Sequence, residues 1–226
     1  MKIVIAIGSN LPGAGKSTIA KALSEEFKLF YFSSGNLIRD LFNYFGFSYK
    51  GKDFARDQDY LKQFDIMKSK LFIKDWFKKR GVDLNIPSGR NLDEIIDKIS
   101  LKIAKRGNCV IDGWLSLYTI NPSKKYGNIP YVNLEKGYRV IKILVKVTLT
   151  NSAKRLMKRE KYKSISEAKK YLLMRFNKVR NRILEAYDFD IKLEKVDYDL
   201  IVNSDKFTES RMKKYVIEQV KKRLNF

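Results

Sequence analysis

The first 27 residues constrain the fold more than any other part of the chain. Met1 to Ile7 is rich in Ile and Val and hardly alternates, the pattern of a strand buried on both faces of a parallel sheet. From Ser17 to Phe27 the apolar positions Ile19, Ala20, Leu23 and Phe27 fall at helical spacing. Between them lies Asn10-Leu11-Pro12-Gly13-Ala14-Gly15-Lys16-Ser17-Thr18. This matches the phosphate-loop pattern G-x-x-x-x-G-K-S/T at every fixed position except the first, where Asn10 replaces glycine. Asn tolerates positive φ better than most residues, so the turn stays accessible. Glycines let the backbone amides of Gly13, Gly15 and Lys16 approach phosphate oxygens at a helix N-terminus. Lys16 would bring charge to the outer phosphates, and Ser17 an oxygen ligand for Mg²⁺. A chance glycine turn entering a helix explains neither Lys16 nor the hydroxyl pair after it.

Strand and helix signals then alternate. Leu29 to Phe32 reads as a strand, with Ser33 and Ser34 as N-cap candidates for a helix from Asn36 to Tyr44. From about 47 to 91, aromatic residues such as Tyr49, Phe54, Tyr60, Phe72 and Trp76 are interleaved with Lys and Asp, which predicts a mostly helical insertion with a loop over 81–89. Leu92 to Arg106 is amphipathic, and Asn108 to Ile111 is a buried strand ending at Asp112, the acid expected near Mg²⁺ through water. Val140 to Leu149 is the longest strand signal, and Tyr198 to Val202 the last. Helices are expected over 153–160, 166–187 and 208–224. The pattern predicts an α/β fold: a P-loop-type parallel sheet of five strands with helices on both faces, in one domain spanning 1–226.

Charge narrows the chemistry. Lys and Arg total 47 against 25 Asp and Glu, a net +22 with no His. Residues 1–100 hold 17 basic and 12 acidic side chains, whereas residues 101–226 hold 30 and 13. Such a field attracts polyanions, whether nucleotides, RNA or anionic lipid. Without His, catalysis must rest on carboxylates, Lys, Arg, hydroxyls or a bound cation. The single Cys109 sits in an apolar run and excludes both an intrachain disulfide framework and a thiolate zinc site. No run reaches 18 uninterrupted apolar residues, and the N-terminus lacks a signal-peptide pattern, so a soluble cytoplasmic protein is expected.

Gly13-Ala14-Gly15-Lys16-Ser17-Thr18 followed by Ser33-Ser34-Gly35-Asn36-Leu37-Ile38-Arg39 resembles nucleoside monophosphate kinases, most closely the archaeal type of cytidylate kinase. The resemblance continues through Leu92-Asp93-Glu94-Ile95-Ile96-Asp97, Gly113, Arg155, Arg159, Arg175, Arg180, Arg182 and Tyr187, and Asp199-Leu200-Ile201-Val202-Asn203. It covers most of the chain outside about 47–90.

It implies transfer of the ATP γ-phosphoryl to CMP or dCMP, chemistry in which positioning and charge neutralisation dominate. ATP would be held by Asn10, Pro12, Gly13, Ala14, Gly15, Lys16, Ser17 and Thr18, and Mg²⁺ by Ser17 and, through water, Asp112. Lys16, Arg155, Arg159, Arg175 and Arg182 would act on the transferring phosphoryl. The last four would close over it from a helical lid at 154–182, a stretch with 12 basic and two acidic residues. Ser33, Gly35, Arg39, Asp93 and Asp97 would bind the acceptor, with 36–91 as the acceptor-binding region including the insertion.

Two features depart from the family. Trp114 stands where an arginine usually follows the acid-glycine pair, and the insertion falls within the acceptor region. Three alternatives stay open: an adenylate kinase-like enzyme, another small-molecule P-loop kinase, and an RNA- or ribosome-associated P-loop ATPase, the last favoured by Lys-rich stretches such as 213–223.

Overall fold

The computed structural model describes residues 1–47, 64–159, 162–191 and 196–225. Five parallel strands form one sheet: β1 (Lys2–Ser9), β2 (Phe30–Ser33), β3 (Cys109–Asp112), β4 (Tyr138–Lys146) and β5 (Leu200–Asn203), in spatial order β2-β3-β1-β4-β5. The expected parallel five-stranded α/β sheet is the one observed. β1 lies at its centre, with Val4, Ile5, Ala6 and Ile7 fully buried, which is why its sequence shows no polar face.

The described helices are α1 (Lys16–Phe27), α2 (Ser34–Tyr44), α3 (Ile66–Lys78), α4 (Leu92–Arg106), α5 (Ser116–Thr119), α6 (Leu149–Arg159), α7 (Ile165–Tyr187) and α8 (Glu209–Leu224). On one face of the sheet α1 and α8 bury Ile19, Leu23, Val216 and Val220 against Ile5, Ile7 and Ile143. On the other, α2, α3 and α4 close over Val4, Ala6, Phe32 and Ile111 in a larger cluster rich in aromatic rings. Phe32 and Phe77 lie 5.6 Å apart between ring centroids, and Trp76 meets Phe77 edge to face at 4.9 Å. α6 and α7 form a hairpin with a small core of its own, built on Ala153, Leu156, Ala168 and Leu172.

Local chemistry sets most boundaries. Ser33 caps α2 by accepting from Asn36 N, Asn91 caps α4 by accepting from Glu94 N, and Ser164 caps α7 by accepting from Glu167 N. β4 is shorter than its sequence pattern suggests. It stops at Lys146, and Leu149 begins α6, its apolar side chain packing on the hairpin core instead of the sheet. The Tyr49, Phe54 and Tyr60 part of the expected insertion and the final residue of the helix expected over 153–160 lie outside the described residues. No described helix is long and apolar enough to cross a membrane.

The segment from Gly113 to Gly137 is pinned to the sheet by Lys142. Its ammonium, on a side chain buried within β4, donates to the Asn121 carbonyl at 2.6 Å. The same segment grips the end of α7: Asn128 N donates to the Tyr187 carbonyl at 2.7 Å. A Cβ at Gly127, where φ is +51°, would sit 2.5 Å from that oxygen, so only glycine fits there without displacement.

Candidate phosphoryl-transfer site

Strand order decides where the site forms. The chain leaves β1 through α1 to reach β2, β3 inserts between them, and β4 lies on the other side of β1. The crevice therefore opens at the carboxyl end of β1, where open α/β sheets bind ligands. There the backbone turns through Gly13 (φ +75°) and Gly15 (φ +93°), and Gly15 is the N-cap of α1. The positive φ of Gly15 calls for glycine, and a Cβ there would also displace the Met212 methyl of α8, which lies 2.8 Å from its position.

Asn10 does something its position in the motif does not suggest. It is not among the residues of positive φ, and its amide clamps the far strand: Nδ2 donates to the Val147 carbonyl at 2.9 Å, and Val147 N donates to Oδ1 at 3.0 Å. It ties the loop to the end of β4 and does not line the cavity.

Every other residue given a site role from the sequence lines one cavity of about 920 Å³, whereas Arg180, matched with the lid-exit helix, pairs with Asp190 away from it. Pro12 to Thr18 form one end, with Arg155 and Arg159 beside them, and Asp93 and Asp97 stand on the α4 wall. Ser33, Gly35, Arg39, Asp112, Arg175 and Arg182 also border it.

Asp112 is the hub of the loop end. Fully buried, it accepts from Lys16 Nζ, from Ser17 Oγ at 2.6 Å and from Tyr31 OH at 3.1 Å. Burial, then the Arg175 and Arg39 guanidinia, presses the Lys16 ammonium down to about 7, with the Asp112 carboxylate as the opposing charge. Lys16, paired with Asp112 at the N-terminus of α1, thus also feels the charges of Arg39 and Arg175, an arrangement that calls for further negative charge. Ser17 and Asp112 together present hard oxygen donors in contact. That suits Mg²⁺, which needs few protein ligands when phosphates and water complete its shell.

The four arginines of the α6–α7 hairpin divide. Arg155 is held by the protein: it donates to the carbonyls of Gly13 at 3.2 Å and Ser204 at 2.8 Å and to Ser204 Oγ at 3.0 Å, bracing the phosphate loop against the turn after β5. Arg182 pairs with Asp93 at 3.0 Å, toward the acidic wall. Arg175 lies close enough to Lys16 to act on its charge, and Arg159 borders the cavity.

At the acidic wall Tyr187 OH donates to Asp97 Oδ2 at 2.6 Å. Burial lifts the Asp97 carboxyl to about 7; Asp93 and Glu94 add to the rise, while the Tyr187 hydrogen bond and the Arg182 charge oppose it. Apolar side chains, including Ile96, Trp114, Val179 and Ile183, complete this end. Trp114 packs against Phe176 of α7, with ring centroids 5.8 Å apart.

Sequence reasoning missed Tyr31, which reaches the site through its bond to Asp112, and Phe207, Glu209 and Met212, which border the cavity, and gave Tyr187 no place in the site. Tyr31 reads as a strand residue and Met212 as part of a helix core stripe, so neither carries a local signal.

Residues 4–206 match the cytidylate kinase-like family. A cytidylate kinase of Pyrobaculum islandicum is 26% identical over 202 residues, spanning 89% of this chain and 84% of its own length. One from Staphylothermus marinus is 25% identical over 220 residues, spanning 97% and 98%. Among solved structures, shikimate kinase from Bacteroides thetaiotaomicron shares the fold, with a TM-score of 0.50 at 13% identity and 100% of both chains covered.

Proposed function

The chain belongs to the cytidylate kinase-like family and is a phosphotransferase, and we propose that it transfers the γ-phosphoryl group of ATP to CMP or dCMP. The observation that carries this reading is the polarity of one cavity, with Lys16, Arg39 and Arg175 gathered at the phosphate loop and Asp93 and Asp97 on the α4 wall. A polyphosphate suits the first and an amino-bearing ring the second.

In this reading the amides of Gly13, Gly15 and Lys16 hold the ATP phosphates, and Lys16 follows the charge that develops on the transferring group. Pro12, Ala14 and Thr18 shape the loop around it. Ser17 and, through water, Asp112 would hold Mg²⁺, which when bound would neutralise phosphate charge. Arg39, with Ser33 and Gly35 beside it, grips the acceptor phosphate as a planar fork. Arg175 and Arg159 approach the transferring phosphoryl from the hairpin at 154–182, which acts as the lid. Arg155 serves by bracing the loop and Arg182 by holding Asp93. Within the acceptor region at 36–91, Arg39 is the charged residue assigned to the acceptor itself.

Asp97 supports a cytosine in particular. One carboxylate oxygen accepts the Tyr187 hydrogen bond, and an ionised Asp97 has only acceptor capacity left to offer a ligand, which matches the exocyclic amino group of cytosine and repels the carbonyl of uracil at that position. Nothing in the fold or in the relatives favours RNA as a partner.

The test is turnover with ATP and Mg²⁺ across CMP, dCMP, UMP, AMP and GMP. CMP or dCMP is expected to have the highest kcat/KM. A preference for AMP would replace the acceptor assignment, and turnover of none of them would remove the proposal.

A further inference from the structure

A second cavity, about 320 Å³, shares Ser33 and Arg39 with the first. Lys21 of α1, Tyr31 of β2, Asn36 and Asp40 of α2, Trp76 of α3 and Arg80 in the turn that follows it complete its wall. The family resemblance and the proposed reaction assign none of these six side chains a task.

Arg80 is built in place. Its guanidinium carbon stands 3.6 Å from the centroid of the Trp76 ring, Nη1 donates to the Trp76 carbonyl at 2.9 Å, and Nη2 lies 3.8 Å from Asp40 Oδ2. Asp40 is itself fixed by the Trp76 indole, which donates to Oδ2 at 2.7 Å. A guanidinium stacked on a buried indole has already lost its rotamer freedom, so a ligand meets a preorganised fork. With its side chain still 42% exposed, Arg80 keeps N–H donors facing outward. Lys21 and Arg39 bring two more cations to the same space, against the single carboxylate of Asp40 among the described lining residues. Arg80 fixed on Trp76, Arg39 donating to Asn36 Oδ1, and the exposed Lys21 together line a recess that matches a tetrahedral oxyanion.

The shared residues give occupancy a consequence. Arg39 borders both cavities, and Tyr31, on the wall of the second, donates to Asp112 in the first.

We propose that the Lys21–Arg39–Arg80 cavity binds a phosphate group, from free inorganic phosphate or the terminal phosphate of a nucleotide, and that the bound anion draws Arg39 away from the acceptor. The binding half stands on the second cavity alone; the antagonism rests on the reading of Arg39 as the acceptor-phosphate ligand.

The experiment uses the full chain and the Lys21→Gln/Arg80→Gln double variant at constant ionic strength. With saturating ATP, orthophosphate is expected to raise KM for the acceptor in the wild type with kcat unchanged. The double variant keeps the wild-type rate without phosphate and loses about tenfold in sensitivity to it, as loss of charged hydrogen bonds predicts. A parallel series with CDP separates the sources: weakening for orthophosphate alone assigns free phosphate, and weakening for CDP alone assigns a nucleotide's terminal phosphate. Equal inhibition of both proteins by both anions overturns the antagonism.

Binding is read independently from tryptophan fluorescence, since Trp76 lies on the wall. A saturable change on phosphate titration in the presence of ATP, lost in the double variant, supports the site even if no nucleoside monophosphate is turned over; the same change in both proteins refutes it. Lys21→Gln alone, an exposed helix substitution, gives a smaller loss in the same direction and serves if the Arg80 change unfolds the protein.

Discussion

The hydroxyl of Tyr187, the last residue of α7, donates to Asp97 in the middle of α4 across 90 residues of sequence. This bond joins the end of the hairpin to the acidic wall of the cavity. It also decides what Asp97 can offer a ligand, because one carboxylate oxygen is already engaged.

Asp97→Asn should therefore change base preference more than overall activity. Tyr187 would donate to the amide oxygen and turn the amide N–H toward the cavity, a donor where the wild type has an acceptor. The ratio of kcat/KM for CMP over UMP is expected to fall by about one to two orders of magnitude. An unchanged ratio would show that Asp97 does not face the base.

The pH dependence follows from the same group. Its carboxyl is raised from 3.8 to about 7, so at saturating ATP, with Lys16 held protonated by phosphate, kcat/KM for CMP should climb as pH rises through about 7. Asp93, Glu94, Arg182 and Tyr187 face the same group, and Asp97→Asn isolates its share by flattening that limb. Stability runs the other way. The folded state holds this proton to higher pH than the unfolded chain does, so the Asp97 contribution declines from pH 3.8 to about 7, and the variant should lack that slope in chemical denaturation.

Lys16 gives a calorimetric signature. Pressed to about 7 by burial, Arg175 and Arg39, it is largely neutral at pH 8 in the free protein, and a phosphate in contact restores its charge. ATP binding at pH 8 should take up as much as about one proton per site, visible as a dependence of binding enthalpy on buffer ionisation heat. Lys16→Ala should abolish both the uptake and phosphoryl transfer while keeping the fold.

Asn10→Gly restores the usual motif residue and should nevertheless harm the protein. The Val147 amide and carbonyl lose both partners, a cost of about 1–3 kcal/mol measurable by chemical denaturation. Affinity for ATP should not improve, since Asn10 does not line the cavity.

Gly127→Ala tests how the acceptor end is held. The added Cβ would meet the Tyr187 carbonyl at 2.5 Å, displacing the end of α7 and with it the Tyr187–Asp97 bond. KM for the acceptor should rise several-fold with KM for ATP unchanged. Tyr187→Phe, which removes the hydroxyl alone, should share that split.

What periodicity and capping express was legible in the sequence. Leu92–Arg106 folds as a helix over those same residues, because its apolar spacing and its Asn91 cap are local. The strand, glycine loop and helix at the start placed the loop end of the cavity, since backbone conformation there depends on Gly13 and Gly15 themselves. Tertiary structure alone decided the rest. The engagement of Asn10 with Val147, of Arg155 with the loop it was expected to face, of Tyr31 with Asp112 and of Tyr187 with Asp97 each spans between 81 and 142 residues. A hydrogen bond between residues so far apart leaves no period in the sequence. It exists only once strand order has brought the carboxyl ends of β1, β2, β3 and β4 together around one cavity.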